Sequence, residues 1–124
     1  MPSTTIGKSY MAKIPKRGDI LLVPFPYSDM STSKVRPAIV ISSAQYQKTQ
    51  PDIVLAAITS NILAANTALD YTLRDWQQSG LKMASAFKPA LFTLDPKRIV
   101  HSIGSVSSRD MQEIDKRLKL TLDL

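Results

Sequence analysis

Proline limits what this chain can build. Pro24 and Pro26 stop the apolar run GDILLVPF at 18–25, Pro37 stands at the mouth of RPAIVIS at 36–42, and Pro89 and Pro96 interrupt the later apolar stretch. Each removes a backbone donor from any sheet ladder, so the runs read as short strands that end in loops rather than as long helices or wide sheets. A third β-rich run, DIVLAAITS at 52–60, is closed by Thr59, Ser60 and Asn61. In ALDYTLR at 68–74, Leu69, Tyr71 and Leu73 alternate with Asp70, Thr72 and Arg74, the period of a half-buried strand. SNILAANTA reads as a loop or short turn, and 75–84, around Gly80, as loop. SAFKPALFTLDPKRIVHSIGSVS at 85–107 supplies two or three further strands, broken at Pro89 and at the Asp95-Pro96 turn.

The end of the chain changes period. Ser107 is placed to cap a helix, with Asp110 three residues on, and Met111, Ile114, Leu118 and Leu122 recur on one helical face. Five to seven short strands with one terminal helix predict a mainly β (α+β) fold, a small, strongly bent barrel with the helix packed beside it. The 124 residues fit a single domain over 16–124, and 1–15, polar and basic without an apolar core, read as a flexible N-terminal arm. No window approaches the roughly 18 consecutive apolar residues of a membrane span, so no membrane partner is expected, and the lack of an export signal in the first residues makes the cytoplasm the expected compartment.

Composition then removes several kinds of chemistry. With no cysteine and one histidine, the chain cannot build a disulfide, a thiolate metal site or the usual zinc shell, and no glycine-rich loop has phosphate-cradling spacing. No metal and no cofactor are expected, and His101 reads as a strand residue rather than a general base. A formal charge of +6 raises the weight of a polyanionic partner. The groups left to work are arginine, lysine and hydroxyl side chains at strand ends. Pro37 confines Arg36 to extended backbone, which holds a guanidinium at a strand mouth. Guanidinium offers paired donors to phosphate oxygens, and a hydroxyl such as that of Thr59 adds a directed hydrogen bond. On RNA such a pair could also do chemistry, because the 2′-hydroxyl is an internal nucleophile that needs only orientation, proton transfer and charge stabilisation. The plainer reading gives Arg36 a structural hydrogen bond and makes Thr59 a strand terminator.

Taken together, RGDILLVPFPYSDMSTSKVRPAIVIS, then VLAAITSN, then LFTLDPKRIVHSIGSVSSRDMQEIDKRL resemble the MazF/PemK/Kid family of toxin endoribonucleases from type II toxin-antitoxin modules. The resemblance runs from about Lys16 to Leu122. It implies an SH3-like barrel of the CcdB/MazF/PemK type, a homodimer, and metal-independent cutting of single-stranded RNA at short sequences to leave 2′,3′-cyclic phosphate and 5′-hydroxyl ends. A cognate antitoxin would block the RNA groove. Residues 26 to 35 match the family's mobile loop over the RNA site. Arg36 matches its catalytic arginine and Thr59 its hydroxyl partner; Ser31, Ser33, Lys34 and Lys88 are expected RNA contacts. Gly18 and Asp19 match its opening strand and are taken as structural. The glutamate that some relatives carry five residues before the arginine is Ser31 here, and an aspartate near Pro89 is also missing, so the proton acceptor is unassigned, with Asp29 as a candidate. Two alternatives stay open: a CcdB-like toxin that inhibits a topoisomerase, and a non-catalytic SH3-like RNA-binding module.

Overall fold

In the computed structural model, residues 14–25 and 34–124 are described. The expected arm therefore falls almost wholly outside the described residues, as do residues 26–33 of the proline-flanked loop. The elements run in the order β1 (Asp19–Pro24), β2 (Val35–Val40), α1 (Ala44–Thr49), β3 (Ile53–Thr59), β4 (Tyr71–Thr72), β5 (Ala86–Leu94), β6 (His101–Ser105) and α2 (Ser108–Leu122), with 3₁₀ turns at Ile62–Ala64 and Pro96–Arg98. The strands form one antiparallel sheet in the order β4-β5-β3-β2-β1-β6. The sheet curls: Phe25, just past β1, meets Phe92 of β5 edge to face, ring centroids 5.5 Å apart, although two strands separate β1 from β5. The result is a half-barrel with a C-terminal helix, the mainly β architecture that the proline punctuation predicts.

Alternation along the strands divides the core in two. Leu21, Val23, Ala38, Val40, Ile53, Leu55 and Leu94 point to the concave side, where Phe92 and Ile99 close over them. Ile39, Ala56, Ile58 and Phe87 point to the other side and meet Leu73 together with Ile114 and Leu118 of α2. The helix begins where the sequence places it, Ser107 Oγ accepting from the Asp110 amide at 3.2 Å. Its apolar stripe is shorter than expected: Ile114 and Leu118 are buried, but Leu122, beyond the reach of the sheet, is half exposed.

Two other expectations are corrected. Pro89 does not end a strand, because β5 runs straight through it. Ala57 pairs with Lys88 and Ala56 with Leu91, so Pro89 and Ala90 form a bulge, the one place in a central strand where a missing N–H costs no ladder bond. The alternating run at 68–74 shrinks to the two-residue β4, since its flanks turn away to make side-chain bonds. Asp110 drives that turn. Fully buried, it accepts from Tyr71 Oη at 2.5 Å, the Arg74 amide at 3.0 Å and the Asp75 amide at 2.9 Å. Arg117 lies 4.9 Å over the Tyr71 ring, and Arg109 grips Asp75 with two bonds of 2.8 Å, so three side chains of α2 lock 71–75 in place. Burial and the Asp110 carboxylate raise the Tyr71 phenol well above its ordinary range, keeping it a proton donor. The Arg109 and Ser107 bonds pull Asp75 down to about 2.

The first strand is held at its entry. Gly18, at φ +98°, donates to Val40 O at 2.8 Å and accepts from the Val106 amide at 3.0 Å, a position open to glycine. Asp19 accepts from the Lys16 amide and from Ser105 Oγ, both at 2.8 Å, tying β1 to β6. Both residues of the Gly-Asp pair are thus engaged in structure.

Candidate active site

The site is assembled by strand register. β2 and β3 pair as Ala38↔Ala57, Ile39↔Ala56 and Val40↔Leu55. Carried two residues beyond its last pair, that register sets Arg36 across from Thr59. On its other side Arg36 pairs with Val23, whose side chain belongs to the concave cluster, so Arg36 continues that face to the rim, where it is exposed. Thr59 ends β3 half buried, and its Oγ1 accepts from the Asn61 amide at 3.1 Å. This fixes the hydroxyl through a lone pair and leaves its O–H as a donor. Pro37 follows Arg36 inside β2, pairing with Leu22, and holds the arginine extended as the dipeptide implies.

Lys88 joins the same face. It sits opposite Ala57, two residues from Thr59, because the bulge at Pro89 and Ala90 resets β5. Its Nζ lies 3.4 Å from Asp70 Oδ1. Lys34 is exposed at the base of the loop, its carbonyl accepting from the Phe25 amide at 3.1 Å, so the chain leaves for 26–33 and returns through a closed neck beside Arg36. Asp29, Ser31 and Ser33 lie outside the described residues. Arg36, Thr59, Lys88 and Lys34 are therefore brought to one end of the concave face. His101 is exposed at the start of β6, on the far side of β1 from β2. A cleft of about 670 Å³ opens there, lined by Ile14, Lys97, Val100 and His101, and shares no residue with the Arg36 group.

Asp70 was missed by reasoning from the sequence, which puts it on the polar side of an alternating strand. Its side chain is only 2% exposed. Oδ2 accepts from the Thr67 amide at 3.0 Å and Thr67 Oγ1 at 2.9 Å. Burial alone would raise its pKa, but the Thr67 bonds and the Lys88 ammonium outweigh burial and hold it below the usual carboxylate range. The Thr67-x-x-Asp70 spacing is a signal for a local turn; that the turn faces Lys88 follows only from the β4–β5 pairing of Tyr71 with Phe87 and Thr72 with Ala86. Among the described residues, no three His, Asp or Glu side chains gather as a metal shell. A row of donors at an open rim, with a fixed carboxylate behind one of them, can bind a phosphodiester and stabilise charge on it.

Comparison with known proteins agrees with this fold. Residues 16–122 match the family described as PemK-like, MazF-like toxin of type II toxin-antitoxin system. Among solved structures, an endoribonuclease in complex with its cognate antitoxin from a mycobacterial species is 17% identical, with a TM-score of 0.73 over 90% of this chain and 97% of that one. MazF from Deinococcus radiodurans is 20% identical, with a TM-score of 0.70 over 90% and 99%. The MazE-MazF structure from the same organism is 19% identical, with a TM-score of 0.71 over 90% and 99%.

Proposed function

The chain belongs to the PemK-like, MazF-like toxin family of type II toxin-antitoxin systems, and from that membership we propose that it is an endoribonuclease cutting single-stranded RNA at short sequences without a metal ion. One observation supports the catalytic part: the β2–β3 register, whose last pair is Ala38↔Ala57 and which, continued by two residues, would bring Arg36 opposite Thr59 at the open end of the concave face. RNA supplies its own nucleophile. The 2′-hydroxyl gives its proton to a base, for which Asp29 is the candidate, its oxygen attacks the adjacent phosphorus, the P–O5′ bond breaks and the 5′-oxygen takes up a proton, leaving a 2′,3′-cyclic phosphate and a 5′-hydroxyl. Arg36 pairs with the non-bridging oxygens, neutralises the charge that builds in the pentacoordinate state and delivers a proton to the leaving 5′-oxygen. Thr59 donates to a phosphate oxygen and fixes the phosphodiester against the sheet. Lys88 and Lys34 hold neighbouring phosphates, and Ser31, Ser33 and the candidate base Asp29 belong to the sequence between Phe25 and Lys34, outside the described residues.

The partners follow from the same reading. At +6 per chain, a homodimer presents a strongly basic surface to RNA, with binding that weakens steeply as salt rises. One structural neighbour was solved with its cognate antitoxin, and a cognate antitoxin covering the Arg36 face would silence this toxin. Among the described residues no helix is long and apolar enough to cross a membrane, and messenger RNA in the cytoplasm is the substrate proposed. The test is incubation of the purified protein with a long single-stranded RNA in EDTA, with both product ends mapped. Discrete cuts bearing cyclic phosphate and 5′-hydroxyl are expected. RNA left whole, or cut only after a divalent cation is added, would overturn the proposal.

A further inference from the structure

We propose that Asp70 is a positioning residue of the cleavage site, acting through Lys88; the inference rests on the nuclease reading above. Three observations meet here. The Asp70 side chain is 2% exposed, and the Thr67 amide and hydroxyl pin its Oδ2, so the carboxylate cannot swing out to solvent or to RNA. Its other oxygen faces Lys88 Nζ at 3.4 Å, and that lysine, 36% exposed, stands on the face and end of the sheet shared by Arg36 and Thr59. The chain next to Asp70 is itself clamped, because the following residue, Tyr71, is bonded to the fully buried Asp110 and covered by Arg117. Asp70 is thus a fixed anion behind a lysine that reaches the rim.

The distance indicates how the pair works. Charged N–H···O bonds are usually about 2.7–2.9 Å long, so at 3.4 Å the ammonium is held but not consumed. A lysine on a flexible stem has many rotamers open to it, and a carboxylate at its base keeps the ammonium over the sheet, from where it leans to an arriving phosphate oxygen. Asp70 never touches the RNA. It lowers the disorder of a cation that does, at the expense of adding a negative charge near the substrate.

That opposition predicts a split that a merely structural role would not produce. Asp70→Asn keeps a carbonyl oxygen for the Thr67 donors while it removes the charge facing Lys88. The face becomes more positive, so an uncleavable 2′-O-methyl strand should bind as tightly or more tightly. The cleavage step should slow by about tenfold, because the lysine is less well placed. The experiment compares wild type, Asp70→Asn, Lys88→Ala and the double variant on a short synthetic RNA carrying a mapped cut site, with melting temperatures measured alongside. Asp70→Asn is expected to have no further effect once Lys88 is alanine, and Thr67→Val should give a smaller loss of the same kind. Equal losses in both backgrounds, weaker binding by Asp70→Asn, or an unchanged cleavage rate would overturn the positioning role while wild type still cuts. RNA left whole by wild type would overturn the nuclease reading itself, and this proposal with it.

Discussion

Replacing Asp110 with alanine removes the acceptor on which three donors from a separate part of the chain converge. The carboxylate is fully buried and takes Tyr71 Oη at 2.5 Å, the Arg74 amide at 3.0 Å and the Asp75 amide at 2.9 Å. Each buried donor left without a partner costs about 1–3 kcal/mol, and hydrogen bonds to a charged group lie toward the upper end of that scale. Tyr71 is only partly buried and its hydroxyl can rotate, whereas the two amides are fixed by the backbone, so the amides carry most of the loss. The sum is about 3–5 kcal/mol, against a total stability on the order of 5–15 kcal/mol for a domain of this kind. At about 4 °C per kcal/mol for this chain length, melting should fall by about 12–20 °C. Asp110→Asn keeps one acceptor oxygen but turns an NH₂ toward the remaining donors, and should fall between alanine and wild type. The assay is urea denaturation followed by circular dichroism and by fluorescence of Trp76, the single tryptophan, which packs beside the segment that Asp110 holds. A loss below about 1 kcal/mol for the alanine variant would refute the view that this carboxylate organises 71–75.

Three further outcomes are expected. Thr59→Val should slow RNA cleavage by about fivefold, the worth of one neutral hydrogen bond of about 1 kcal/mol; an unchanged single-turnover rate would reduce Thr59 to a strand end. At Gly104 an added Cβ would clash with the backbone carbonyl of Ser79, and at Gly80 it would stand 2.7 Å from Ile103 O. Gly104→Ala should therefore cost about 2 kcal/mol or more in chemical denaturation, and equal stability would show that the 75–80 turn can move away from β6. Asp75 has a folded pKa depressed to about 2 by Arg109 and Ser107, so its stabilising contribution is present above the unfolded carboxylate value and disappears as the pH falls from about 4 to about 2. Acid unfolding of Asp75→Asn followed by circular dichroism should accordingly be less steep across that interval than wild type, and identical curves would contradict the assignment.

Some of this arrangement was legible in the residues alone because local chemistry decided it. Pro24 closes its strand, the Ser107 cap needs only its own next turn, and Arg36 before Pro37 is extended in any context, although Pro37 itself lies inside β2 rather than at its mouth. Thr59 at the close of a β-rich run was equally local. The parts that could not be read depend on pairing. Pro89 breaks a strand in isolation and is tolerated here because its neighbour β3 accepts a bulge. Asp70 and Tyr71 alternate as a strand should, yet the aspartate is buried, because the local Thr67 turn folds it in against Lys88, while Asp110, from the distant helix, holds the neighbouring Tyr71. The short helix α1 has no apolar stripe to announce it; Ser43, which caps it by accepting from the Tyr46 amide at 3.0 Å, is its only local signal.

The central claim is that a guanidinium at the rim of β2 stabilises charge on an RNA phosphodiester, and Arg36→Ala tests it most directly. Single-turnover cleavage of a mapped RNA in EDTA should fall by more than about 100-fold, the loss of about 3 kcal/mol of charge stabilisation, while the melting temperature is unchanged, since the side chain is exposed. Cleavage at the wild-type rate by a folded Arg36→Ala protein would contradict the account.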